Sequence, residues 1–433
     1  MNKLVSLLLL FFLISGTFVA VFSHVFASEL VEDSWNIKTP LKYPREKFVT
    51  VIFDGKIYAI GGYGSHGYGG SYVGTTERYD PKTDKWTTLA PMPTPRTEVS
   101  VVVYQGKIYC MGGVFSISGR GITSKTDAVE VYDPVTNKWS KKASLPFEPS
   151  STAYVINDQL FVIERWGRQM YVYNPFDDSW SSKTALPVIM SDMTAIVIDD
   201  NLFAIVKNGE NELWEMFMYD SVIDSWTKKA TPFLHDTPFS HNLQTSPYST
   251  FTSTVVDDKI IVCQTTYSYY MESVKLNINI YDTKLDKWSE GKTSPETYIA
   301  SYVYSEVTSG VYAPKKLYAF GYEQNDQNMQ PFVWVYDPEN NVWSTAKAMP
   351  TGVVPSSPSN GKLVVVDDIF YMLHSYSLDD FNAQYIPIGY LANDPPSNQP
   401  PSLNALIVVV AIVLTVSLVT TGLFFYLKKR KFT

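Results

Sequence analysis

Four side chains equipped for chemistry, Glu164, Arg165, Lys207 and His374, stand where a repeated pattern elsewhere places glycine or an uncharged residue. When the repeats are aligned, one position holds Gly61, Gly112, Glu164, Val206, Gln264, Gly321 and His374. The next holds Gly62, Gly113, Arg165, Lys207, Thr265, Tyr322 and Ser375. Arg165 and Lys207 would donate to an anion, Glu164 would accept, and Trp166 and Trp214 from adjoining loops would flank them with flat apolar faces. The same residues equally suit a plainer arrangement, in which solvated polar groups border a water-filled channel and Glu164 pairs with Arg165 or Lys207. Further aromatics belong to the same set of loops: Tyr63, Tyr68, Tyr72, Phe115, Tyr267, Tyr269, Tyr270 and Tyr376. Aromatics on loops stack on sugar rings or anchor protein interfaces, although about half would be expected to fold back over their own sheet.

The elements that must position these groups are read from spacing. Tyr followed seven residues later by Trp recurs as Tyr79/Trp86, Tyr132/Trp139, Tyr173/Trp180, Tyr219/Trp226, Tyr281/Trp288 and Tyr336/Trp343. Each Tyr is followed by Asp or Asn, and four units add Pro81, Pro134, Pro175 or Pro338, which is turn chemistry between two strands. Upstream, Asp54-Gly55, Gln105-Gly106, Asn157-Asp158, Asp199-Asp200, Asp257-Asp258 and Asp367-Asp368 mark two-residue hairpins. In the sixth unit Tyr312-Ala313-Pro314-Lys315 predicts a longer turn. A period of roughly 40–60 residues is the length of a multi-strand propeller blade.

The paired glycines Gly61-Gly62 and Gly112-Gly113, together with the Tyr and Trp series, resemble the kelch repeat family of β-propellers. The resemblance runs from about Val31 to Tyr390 and implies a ring of four-stranded blades. Seven are expected. Trp35 to Arg45 aligns without gaps on Trp86 to Arg96, so the chain begins with the last strand of a blade. The stretch from Lys362 to Pro387 supplies the other three, Gln384-Tyr385-Ile386 being the third. Pairing the two ends removes a free sheet edge at the seam.

Outside that domain, residues 1–27 read as a secretory signal: Lys3, then an apolar run from Leu4 to Phe22, then small or tolerated residues before Ser28. An uncleaved anchor is the alternative. The propeller is expected over 28–390, followed by a Pro-rich linker over 391–402 and a transmembrane helix over 403–427, where no residue is charged. The basic tail 428–433 favours the cytoplasmic side, which puts the propeller outside a cell membrane crossed once. With a net charge of −8 and its basic cluster confined to that tail, the chain is a poor partner for nucleic acid.

The cysteines, Cys110 and Cys263, fall on second strands of distant blades and should be buried free thiols. No cofactor, metal set or nucleophile motif is expected. The kelch resemblance brings two enzyme precedents, a copper galactose oxidase and a sugar-acid mutarotase. The oxidase would need a tyrosine and histidine set that this chain's few histidines do not suggest, and the mutarotase would need an acid/base such as Glu164. The reading carried forward is a membrane-tethered external propeller that binds a protein partner or a cell-surface glycan, with a carbohydrate-active propeller as the alternative.

Overall fold

Hairpins form where the sequence offers residues that tolerate a left-handed backbone. Asp54 and Gly55 lie at φ 51° and 64°, Gln105 and Gly106 at 46° and 70°, and Asp199 and Asp200 at 46° and 58°. Two successive positive φ values give the turn whose twist matches that of the flanking strands. The computed structural model describes residues 32–64, 70–117, 122–147, 151–232, 251–267, 274–295, 304–325, 328–350, 361–374, 381–387 and 390. Every regular element among them is a β-strand. Contacts divide the chain into two units, Met1–Tyr390 and Leu391–Thr433, and all the strands belong to the first. The expected signal, linker, transmembrane helix and tail lie outside the described residues. Among the described residues no helix is long and apolar enough to cross a membrane.

Among the described residues the strands form seven four-stranded antiparallel sheets, and two short two-stranded ribbons, Tyr63–Gly64 with Ser71–Tyr72 and Val114–Ile117 with Ile122–Lys125, extend the loops of the first two. In blade 1 the strands are Val49–Phe53, Lys56–Ile60, Thr76–Asp80 and Lys85–Thr88. The first strand of each blade touches the first strand of the next, and that of blade 7, Gly361–Val366, returns to that of blade 1. The innermost strands thus close a circle. Blade 7 is composite as expected: Ser34–Lys38 pairs antiparallel with Phe381–Ile386, with Trp35 opposite Tyr385. One apolar cluster fills each interface between neighbouring blades. Tyr58, Ile60, Ile108 and Cys110 lie between blades 1 and 2, and Phe48, Tyr79, Val364 and Tyr371 lie between blades 7 and 1. Cys110 and Cys263 are free and buried, and burial pushes each thiol up to about 12.

A single hydrogen-bonded clasp repeats at all seven interfaces. In blade 1 the Tyr79 hydroxyl donates to Asp84 Oδ1 at 2.8 Å, and the same oxygen accepts the Thr39 amide of the preceding blade at 3.0 Å. Trp86 Nε1 donates to the Thr39 carbonyl at 2.9 Å, and Tyr79 and Trp86 sit opposite each other with ring centroids 5.1 Å apart. One backbone residue therefore has both its N–H and its C=O held by the next blade. Ala90, Ala143, Thr184, Ala230 and Lys292 take that role at the following interfaces. At the seam the clasp joins the two ends of the propeller: Tyr385 donates to Asp33, whose carboxylate accepts the Lys347 amide, and Trp35 donates to the Lys347 carbonyl. The clasp acid or amide has positive φ in every blade, from 49° at Asp33 to 53° at Asn137, which Asp and Asn tolerate better than other side-chain-bearing residues.

The expected longer turn in blade 6 is present, and it is held by its neighbour. Asp368, 2% exposed on the hairpin of blade 7, accepts the amides of Ser309, Val311, Tyr312 and Ala313. A turn with a single left-handed residue, Gly310 at φ 88°, in place of two successive ones is thus shaped by a buried carboxylate across the interface.

Two outcomes follow for stability. Trp35→Ala should lower unfolding free energy by about 2–4 kcal/mol in denaturant titration, because it removes both the seam hydrogen bond and ring packing. Ile37→Ala on the same strand, 62% exposed, should change it by less than about 0.5 kcal/mol. The second outcome concerns acid. The Ala143 amide and the Tyr173 hydroxyl hold the Asp178 carboxyl below its ordinary 3.8, and the Ala230 amide does the same for Asp286. A lowered folded value stabilises above the unfolded pKa and is lost as pH falls through the folded one, so the ring should weaken below about pH 4. Asp178→Asn with Asp286→Asn, matching the natural Asn137 and Asn341, should flatten that acid limb of a stability-versus-pH curve.

Candidate functional site

Because the four strands of a blade alternate in direction, each blade sends two kinds of connection to each end of the ring. The turns joining strands one to two and three to four lie on one face. The loops joining strands two to three, and each blade to the next, lie on the other. The second strand of blade 3, Gln159–Glu164, ends on the loop face, as does that of blade 4, Asn201–Asn208. Glu164, Arg165, Trp166 and Lys207 therefore share a face, and so does His374 at the end of Ile369–His374.

Sharing a face is not convergence. Arg165 and Trp166 line a cavity of about 200 Å³ at the junction of blades 3 and 4, together with Thr152, Ser191 and Asp192. Trp166 is 58% exposed, its backbone lies at φ 68°, and the Arg165 guanidinium stacks 5.4 Å from its ring centre. A bulky residue in the left-handed region is strained, and such strain persists where surrounding structure enforces it. Asp192 stands in register with Lys207, and its Oδ1 accepts its neighbour's amide from Met193 at 2.8 Å. Lys207 itself forms an ion pair with Glu212 at 3.0 Å. The Glu164 carboxylate folds over Gly167, where an added β-carbon would meet its Oε2 at 2.1 Å. His374 lies on blade 7, across the ring from blades 3 and 4.

Trp214 is not a loop residue. It opens the third strand of blade 4, Trp214–Asp220, is 6% exposed, and packs in the cluster between blades 4 and 5. That strand begins earlier than its blade 1 counterpart, which draws the ring inward. A second cavity of about 250 Å³ lies beside it, bordered by Leu213, Glu215, Lys228 and Pro232. Leu213, 62% exposed, is the apolar residue that faces out there. Of the loop aromatics, Tyr63 and Tyr72 pack edge to face at 5.4 Å, and the Tyr63 hydroxyl donates to the Gly70 carbonyl. Tyr68, Tyr269, Tyr270 and Tyr376 lie outside the described residues, as do His235 and His241. Among the described residues no group of His, Cys, Asp and Glu could hold a metal ion.

The paired glycines prove to be part of a different device. Arg45 is 1% exposed and donates to Glu77 Oε2 at 2.5 Å, to the Gly61 carbonyl at 2.9 Å and to the Ala59 carbonyl at 3.1 Å. Arg96 repeats the pattern with Glu130 at 2.5 Å and the Cys110 carbonyl at 3.1 Å. Gly62 and Gly113, at φ 114° and 104°, pass so close that an added β-carbon would sit 2.8 Å from the Glu46 carbonyl and 2.5 Å from that of Thr97. Arg, Glu and the glycine pair occur together in blades 1 and 2. From blade 3 on, Tyr171, Phe217, Asn279, Trp334 and Ala383 replace the glutamate, and the glycine pair is gone too. A loop freed from enclosing a buried arginine can carry Arg165, Trp166 or Lys207 instead.

A family model described as Kelch motif matches residues 44–93 and 95–146, the stretches that contain these two buried pairs. Kelch-like protein 26 of Danio rerio is 32% identical over 123 residues, covering 28% of this chain and 19% of that protein. Alpha-scruin of Limulus polyphemus is 29% identical over 135 residues, covering 31% of this chain and 14% of its own length. The chain thus spans about a fifth or less of these relatives. A solved structure titled "Structure of YjhT" is 16% identical with a TM-score of 0.47, covering 71% of this chain and 98% of that one.

The buried pair is testable in isolation. Arg45→Met should cost about 3–5 kcal/mol in unfolding free energy, since it strands Glu77 without a countercharge. Arg45→Met combined with Glu77→Met should cost clearly less than the sum of the two single changes, as a double-mutant cycle would read out.

Proposed function

We propose that this kelch-repeat propeller is a protein-binding module, tethered outside a membrane, that presents the loop face at blades 3 and 4 to its partner. The observation that carries the reading is the Arg165–Trp166 pair. An exposed indole held in a strained backbone and stacked by a guanidinium borders a cavity containing Asp192, Ser191 and Thr152. Trp and Arg dominate binding hot spots because each presents a large rigid face together with directional donors. Leu213 and the second cavity extend the surface onto the outer part of blade 4. A surface spread over several loops suits a polypeptide better than a small ligand.

Tethering and external placement rest on sequence: the apolar run before Ser28, the uncharged run over 403–427, and the basic Lys428-Lys429-Arg430-Lys431 that follows. A carbohydrate reading remains the second one, supported by Arg165 beside Trp166, since a sugar acid needs a cation and a stacking face. Glu164, the acid/base such a reading would use, folds over Gly167 and does not line the Arg165–Trp166 cavity.

The test is selection of peptides from a displayed 12-residue library on the purified full chain in detergent. Recovered peptides should bind Trp166→Ala and Arg165→Ala at least roughly tenfold more weakly than the parent, with thermal unfolding unchanged. Peptides that bind both variants as tightly as the parent would overturn the assignment to this face. Saturable binding of monosaccharide acids, lost in the same variants, would replace the polypeptide by a sugar.

A further inference from the structure

The face opposite the candidate site carries a feature that the clasp, the core and the binding loops leave unused. On four consecutive blades, 2 to 5, the tip of the turn between the third and fourth strands is apolar and stands in solvent. Val135 is 91% exposed, Phe176 97%, Val222 80%, Ile223 68% and Leu285 72%. The same turn holds Lys82-Thr83 in blade 1 and Glu339-Asn340 in blade 6, so the apolar tips form an arc over one side of the ring. These five side chains are largely exposed, and fold stability does not account for apolar tips on four blades in a row.

Strand direction places both ends of the propeller on this same face. Ser34–Lys38 starts there, and the third strand of blade 7, Phe381–Ile386, runs towards it. The chain is still on that face at Tyr390, which stacks at 6.1 Å and 20° on Tyr312 in the long turn of blade 6. Twelve residues separate Tyr390 from Leu403, where the uncharged run of sequence begins. Carboxylates surround the tips: Asp133, Asp177, Asp220 and Asp282 sit on the same turns. Such a surface is repelled by anionic headgroups, while apolar tips still gain from the interfacial zone of a neutral bilayer.

We infer that the arc of Val135, Phe176, Val222, Ile223 and Leu285 rests in the headgroup region of a zwitterionic bilayer, holding the propeller flat with its loop face turned outward. The inference depends on the tethering reading. It adds an orientation, which a long free leash would not impose.

The experiment uses the full chain in phosphatidylcholine nanodiscs. Cys110 and Cys263 are buried, so a thiol-reactive fluorophore reports on an introduced cysteine. Val135→Cys places it on the arc, and Ser71→Cys places it on an exposed position of the opposite face. Brominated lipid should quench the Val135→Cys label by roughly twofold or more and leave the Ser71→Cys label unchanged, and Phe176→Asp with Leu285→Asp should abolish the quenching. Replacing part of the phosphatidylcholine by phosphatidylserine should weaken it. Two unquenched labels on protein that co-elutes with the discs would overturn the orientation while leaving the tether standing. Quenching that strengthens with phosphatidylserine would overturn the zwitterionic assignment. Failure to co-elute with discs would sink the tether first, and the orientation with it.

Discussion

The structure depends on one backbone residue per interface being gripped at both ends. The Asp or Asn side chain takes its amide, the Trp indole takes its carbonyl, and the Tyr hydroxyl fixes the Asp or Asn in place. A hydrogen bond of this kind contributes about 1 kcal/mol net, so no single clasp holds the ring. Its value lies in repetition and in geometry. Each clasp sets the spacing between neighbouring blades at the outer turns, while the apolar clusters fill the gap behind it. Because the seventh clasp is made by Asp33, Trp35 and Tyr385, the strand Phe381–Ile386 at the seam is not left as an unpaired edge.

That scaffold frees the two ends of the ring for different work. Apart from the long turn of blade 6, the turns are short and repetitive, with the clasps beneath them. The loops between second and third strands vary from blade to blade, as loops on a rigid scaffold can. In blades 1 and 2 they enclose a buried Arg–Glu pair and stay glycine-rich. In blades 3 and 4 the pair is absent and the loop positions hold Arg165, Trp166 and Lys207. In blades 5 and 6 the strands themselves lengthen, to Lys259–Tyr267 with Val274–Asp282 and to Leu317–Asn325 with Asn328–Asp337. The ring thus has one regular face and one diversified face.

The repeat was legible because Tyr and Trp sit opposite each other on paired strands, so their spacing survives every change around them. The composite blade was legible for the same reason, since Trp35 kept its place in the pattern without its tyrosine. The Asp or Asn two residues before each Trp is equally regular, from Asp33 to Asn341, yet its role joins two blades and no local pattern announces it. The Arg45–Glu77 pair is likewise long-range, although Pro44-Arg45 and Pro95-Arg96 align in the sequence. Trp214 misled because a strand in blade 4 starts early. The site cluster was legible only as an address on one face. Which members meet was decided by packing: Arg165 meets Trp166, while Lys207 turns to Glu212.

The most direct measurement is native-state hydrogen exchange of the seven clasped amides, Thr39, Ala90, Ala143, Thr184, Ala230, Lys292 and Lys347. If the clasp closes one cooperative ring, all seven should exchange with the free energy of global unfolding, and Lys347 at the seam should be as protected as the rest. Fast exchange at Lys347 with the other six protected would mean that the first and last strands of the propeller do not lock the ring, and the account would fail at its foundation.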